Sequence, residues 1–169
     1  MKHVKWVLLL ILVVWGVSKI DYQNGKGEGC AFCKPHILNE QSLYIGPLAS
    51  VLVTHKPVVP GHFLVIPNRH VATFEDLTSD ELAEMGELIK KIYHTQPGEY
   101  LLLQKNGASA GQTVPHVHIH YLPRRPGMGH VHFCARLLLQ SQLKPLSEKE
   151  LEKVVEEGRA LLLSSDSAR

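Results

Sequence analysis

The hydrophobic pattern of the chain switches between a period of two and a period near 3.6. "SLYIG" and "SVLVTH" read as short strands around the turn Gly46-Pro47, and "GHFLVIP" is a third β-rich run closed by Pro67. The period then lengthens. "DLTSDELAEMGELIKKIYH" sets Leu82, Met85, Leu88 or Ile89, and Ile92 on one helical face, and Thr78 and Glu81 stand at capping-box spacing at its start. "EYLLLQKN" predicts another strand, "GASAG" a loop of small residues, and "VPHVHIHYLPR" a strand bounded by Pro115 and Pro123. "SEKELEKVVEEGRALLL" predicts a second amphipathic helix, capped by Ser147 and Glu150, with Leu151, Val154, Val155 and Leu161 on its apolar side. Strands, helix, strands, helix is the order of an α+β fold with an antiparallel sheet and two main helices. No internal repeat or low-complexity tract interrupts it.

The first twenty residues differ from the rest. A basic start, "MKHVK", precedes the uncharged run "WVLLLILVVWGV" from Trp6 to Val17. Residues 1–20 are expected to be a signal peptide, with "GVS" before Lys19 as a cleavage site, or a membrane anchor that leaves Lys2 and Lys5 on the cytoplasmic side. A buried core segment or a misassigned start are the competing readings. With a real leader the domain is exported or attached to a membrane through residues 6–17; without one it is cytoplasmic. The Gly-rich "DYQNGKGEG", residues 21–29, is the expected linker, and residues 30–169 the folded domain.

Length and charge narrow the function classes. A chain of 169 residues suits one core. Eighteen Lys and Arg against sixteen Asp and Glu give no electrostatic case for a nucleic-acid partner. The three cysteines are Cys30, Cys33 and Cys134, and an odd number with one tight C-x-x-C pair suits a metal clip or redox pair better than a disulfide framework. Eleven histidines are the excess that matters.

Three of them alternate. In an extended strand His116, His118 and His120 share one face, and Val117, Ile119 and Tyr121 share the other, so one face is chemical and the other is core. The spacing alone fits two chemistries: a three-histidine metal site with an open water position, or an imidazole nucleophile that attacks phosphorus. The preceding "NGASAGQTV" favours the second. Its small residues, with Gly107, Gly111, Gln112 and Thr113, suit backbone N–H groups closing on phosphate oxygens. A shorter alternation, His130 and His132 in "GHVH", reads as a strand edge or a decoration on the substrate side, whereas His3, His36, His55 and His94 read as surface residues and Cys134 as a core thiol.

"GQTVPHVHIHYLPR" resembles the H-φ-H-φ-H-φ-φ signature of the histidine triad (HIT) superfamily, and the likeness extends upstream through "KPVVPGHFLVIPNRH" and "FEDLTSDE". It covers roughly Cys30 to Arg125 and is nearest to the small nucleotide hydrolases, including the fragile-histidine-triad type and bacterial members. Superfamily transferases and phosphorylases usually carry Gln at the position of His120, so the resemblance implies a hydrolase. It implies that His118 attacks an α-phosphorus and forms a nucleotidyl-histidine, which water then hydrolyses. His120 and His62 would contact phosphate oxygens or the leaving group. Gln112, Thr113 and Gly111 would hold the phosphate, with Lys105 and Thr54 standing where relatives commonly carry Asn or Gln and Asn, respectively. Dinucleoside polyphosphates and nucleoside phosphoramidates both fit as substrates, and the resemblance implies a homodimer. A zinc-stabilised nucleotide-binding module without significant turnover is the alternative.

"CAFC" is similar to the start of bacterial triad proteins and related uridylyltransferases, in which C-x-x-C and two histidines surround zinc. The corresponding residues are Cys30, Cys33, His70 and His116. Such a closed Cys2His2 set implies a structural zinc and no catalytic cofactor. A pair of buried thiols or a disulfide is the other reading of the cysteines.

Overall fold

The computed structural model describes residues 29–164. The leader and most of the linker, with the signal-peptide and anchor expectations that rest on them, lie outside the described residues. Among these, no helix is long and apolar enough to cross a membrane.

Five strands form one antiparallel sheet: β1 (Ser42–Ile45), β2 (Ala49–Val53), β3 (Phe63–Pro67), β4 (Tyr100–Gln104) and β5 (Ile119–Pro123), in the order β1-β2-β3-β5-β4. Four α-helices accompany it: α1 (Pro35–Gln41), α2 (Ser79–Thr95), α3 (His130–Leu138) and α4 (Glu148–Ser164). The sheet is covered unequally. On one face Val51, Val53, Phe63, Val65 and Tyr121 meet Met85, Leu88 and Ile92 of α2 and Val155 and Leu162 of α4 in the main core. On the other, Leu52, Leu64 and Ile66 pack under Phe32, Ile37 and Leu38, and Leu122 packs under Phe133 of α3. A gap between these two smaller clusters leaves the centre of that face open.

Both anticipated capping boxes form. Thr78 accepts from the Glu81 amide while the Glu81 carboxylate accepts from the Thr78 amide. The Glu150 carboxylate accepts from the Ser147 amide, and the Ser147 hydroxyl takes the Glu150 amide at 3.4 Å. Each satisfies amides that a helix start would otherwise leave unpaired. Two helix faces are rotated from the sequence expectation. Leu82 and Leu161 are largely exposed, and Glu81 and Leu162 are buried instead. The stretch expected as a strand edge at His130 and His132 is the start of α3, so that expectation is corrected: Phe133 is buried and Val131 is 82% exposed, which is helical and not alternating burial.

Candidate active site

The open centre of the sheet is a cavity of about 650 Å³, lined by Phe32, Ile37, Thr54, His55, Lys56, Leu64, Lys105, Gly111, Thr113, His118, His120 and Leu137 among others. Its floor follows from strand register. Leu52 pairs with Leu64, Leu64 with His120, and His120 with Leu103, so these side chains stand on one face. His118 lies two residues before His120 and shares that face, while Val117 and Tyr121 turn into the main core. Regular strand geometry begins only at Ile119; His116 closes a bend, and His118 sits in the irregular pair of residues between.

His118 is 5% exposed, and its Nδ1 is 2.7 Å from the backbone carbonyl of His116. A carbonyl only accepts, so Nδ1 carries the proton and Nε2 keeps its lone pair. Burial lowers the His118 pKa, the His116 carbonyl opposes that shift, and the Lys105 charge adds to it. The edge of Phe32 packs against this ring and against His116.

His62 and His120 form a second array. The Val58 amide donates to His62 Nδ1 at 3.1 Å, and His62 Nε2 is 2.9 Å from His120 Nδ1. The amide can only donate, so in the neutral rings His62 bears its proton on Nε2 and hands that hydrogen bond to His120. His120 therefore carries its proton on Nε2. Burial, reinforced by the neighbouring His118, pushes His62 down to about 3. His120 is also held well below its ordinary value, first by burial and then by His118, His62 and Lys105. Both rings are neutral near pH 7. His62 lies behind His120, 1% exposed and outside the cavity lining.

The loop before the triad is tied from within. Gly111 adopts φ +82°, a region that other residues rarely enter. The amides of Gly111 and Gln112 donate to the carbonyls of Ala108 and Gly107. Gln112 is buried: its Oε1 accepts from the Gly107 amide at 2.6 Å and its Nε2 donates to the Ala72 carbonyl at 3.1 Å. These hydrogen bonds brace the loop from within. Gly111, Thr113, Thr54 and Lys105 do line the cavity. Sequence reasoning missed His55 and Lys56, which follow Thr54 at the end of β2, and the apolar wall of Phe32, Ile37 and Leu137.

The second constellation lies beside the first. Cys30 Sγ is 3.4 Å from His116 Nδ1, Cys33 Sγ is 3.4 Å from His70 Nδ1 and 3.6 Å from His116 Nδ1, and all four donor atoms fall within 4.8 Å of one another. Donors bound to one tetrahedral zinc at ordinary bond lengths stand about 3.3–3.8 Å apart, so the set fits such an ion. His116 Nε2 donates to the Pro67 carbonyl at 2.9 Å, which leaves Nδ1 free to ligate. Burial takes His116 down to about 4, and burial with the adjacent Cys30 pushes the Cys33 thiol up to about 11. The three cysteines are free thiols, so the disulfide reading is not realised in this structure.

Comparison with known proteins places these features in a family. The HIT domain model matches residues 38–127. An Arabidopsis thaliana protein named bifunctional bis(5'-adenosyl)-triphosphatase/adenylylsulfatase FHIT is 42% identical over 120 residues, 66% of this chain and 66% of that one. The crystal structure of the Caenorhabditis elegans NitFhit protein is 33% identical with a TM-score of 0.59 and covers 72% of this chain but 27% of its own. The chain thus spans two thirds or less of these relatives. A Zn-bound histidine triad family protein from Mycobacterium smegmatis, 24% identical, shares the fold with a TM-score of 0.63 over 85% of this chain and 99% of that one. With the family model covering over half the sequence and these neighbours sharing its antiparallel sheet, this chain belongs to the HIT domain family.

Proposed function

We propose that the protein is a nucleotide hydrolase that cleaves the α-phosphate bond of nucleotidyl substrates, either dinucleoside polyphosphates or nucleoside phosphoramidates, through a covalent nucleotidyl-histidine on His118. The observation that carries this reading is the 2.7 Å bond from His118 Nδ1 to the His116 carbonyl, which leaves an unprotonated Nε2 on a buried ring at the cavity floor. In the first step the Nε2 lone pair forms a bond to phosphorus and the leaving-group bond breaks, its electron pair departing with the leaving group. Water then attacks phosphorus and releases a proton to solvent, the N–P bond breaks, and its electron pair returns to Nε2. His120 donates from Nε2–H to oxygens that gather negative charge, and His62 holds it in that tautomer. Thr113 and Lys105 take phosphate oxygens, Gly111 permits close backbone approach to them, and Thr54 contacts the nucleoside. Gln112 acts by positioning the loop. The cavity volume suits a nucleotide-sized ligand.

Cys30, Cys33, His70 and His116 would hold one zinc, whose role is structural, since four protein donors leave no open position. The chain would act as a homodimer through the open edge of β4, where Tyr100 is 43% and Leu102 41% exposed.

The test is trapping. Incubation with a labelled adenylate donor followed by acid-free digestion should give an adenylyl group on His118, and His118→Ala should lose turnover by about a thousandfold or more. Persisting nucleotide binding with no such bond and no turnover would favour a zinc-stabilised binding module.

A further inference from the structure

The triad itself does not choose the leaving group, and the cavity that holds His118 and His120 is also lined by Lys105, the residue after β4. The register between β4 and β5 pairs Leu103 with His120 and Gln104 with Ile119. Lys105 directly follows β4 and His118 directly precedes β5, so the end of that pairing brings the two residues to the same end of the strands. Lys105 lines the cavity with both histidines, and its Nζ lies 3.6 Å from the position a Cβ on Gly111 would take. No Asp or Glu among the described residues lines that cavity, and the Lys105 ammonium enters none of the ion pairs found among them. A fixed positive charge without a protein counter-ion therefore sits where phosphoryl chemistry would take place.

We infer that Lys105 is a specificity-determining residue that selects substrates whose leaving group departs as an anion, a phosphoanhydride or phosphosulfate, over those whose leaving group is an amine. The inference rests on the His118 chemistry proposed above. When a P–O–P or P–O–S bridge breaks, the electron pair stays on the bridging oxygen, which gathers negative charge as the N–P bond to His118 forms. An adjacent ammonium stabilises that charge. When a P–N bond breaks, the nitrogen must take a proton from solvent to leave as an amine, so positive charge gathers at the same place. The ammonium opposes it. The sign of the charge at position 105 thus favours one class of bond and disfavours the other.

The test uses the full chain with diadenosine triphosphate, adenosine 5'-phosphosulfate and adenosine 5'-phosphoramidate. All three donate the same adenylyl group, so they share the second step, and kcat/KM reports the first, in which they differ. Wild-type protein should prefer the two anhydrides. Lys105→Gln and Lys105→Met should each lower the anhydride-to-phosphoramidate ratio of kcat/KM by about tenfold or more, and Lys105→Arg should keep it near the wild-type value. A ratio unchanged within about twofold in both neutral variants, or lost equally in Lys105→Arg, would overturn the inference while leaving the adenylyl-His118 reading intact. Absence of that adduct with every donor would instead remove the underlying reading, and this inference with it.

Discussion

A buried carboxylate shows how much one side chain can carry. Glu81 is 4% exposed, yet it accepts two bonds from Arg69 at 2.8 and 2.9 Å and one from the Thr78 amide at 2.9 Å. The Arg69 bonds, ahead of the opposing cost of burial, hold its pKa down at about 2. A carboxyl whose folded pKa lies below its unfolded value stabilises the fold above the unfolded value, and that contribution is lost as pH falls toward the folded one. Allowing for the half-exposed Arg69, the contribution at neutral pH is about 1–3 kcal/mol. Glu81→Gln should therefore unfold at lower urea than wild type at pH 7, and the gap should shrink as pH falls from about 5 toward 2. A gap that stayed constant over that range would exclude the linkage. Local pattern gave no hint of this burial, because the partner that makes it tolerable comes from twelve residues upstream.

At the scale of elements, Gly158 marks how closely α4 meets the sheet. A Cβ there would stand 2.8 and 2.9 Å from the two terminal carbons of Leu43 on β1, itself 6% exposed. Alanine gains about 1 kcal/mol of helix propensity over glycine, but overpacking a buried contact costs about 1–3 kcal/mol. Gly158→Ala should lower the melting temperature, and Leu43→Ala in the same chain should be less than additive with it. A rise in melting temperature would mean that α4 slides freely over β1. The same contact explains a limit of the sequence reading. The capping boxes and all five strands are legible because each depends on residues a few positions apart. The choice between Leu161 and Leu162 is not, because the seating of Gly158 on Leu43 sets the rotation of α4. For α3 the reason differs: "HVH" is too short to tell a period of two from 3.6, and burial of Phe133 against Val58, Val59 and Leu122 decides it. The alternation of His116, His118 and His120, and the grouping of Cys30, Cys33, His70 and His116 that could hold a metal, were readable from spacing and family likeness. The apolar wall of the cavity was not, because Leu137 reaches it only through α3.

For the whole molecule, the four residues that could hold a metal come from three separate segments. Cys30 and Cys33 lie in the N-terminal segment, His70 follows β3, and His116 precedes β5. A zinc bound to all four would stabilise the folded chain because the unfolded chain has no assembled site. Purified protein should contain one zinc per chain, and chelation should lower the melting temperature by about 5 °C or more. Zinc-free protein with an unchanged melting temperature would exclude a structural ion. Light scattering should return twice the chain mass, and Leu102→Glu on the open edge of β4 should return the mass of one chain; a wild-type monomer would exclude the edge pairing.

The array Val58–His62–His120 begins at a main-chain amide. Every amino acid except proline supplies that hydrogen, so the orientation of two rings is guarded by peptide geometry and not by the identity of residue 58. Evolutionary drift at that position can alter the packing beneath Phe133 without reversing the direction in which the third histidine of the triad offers its proton.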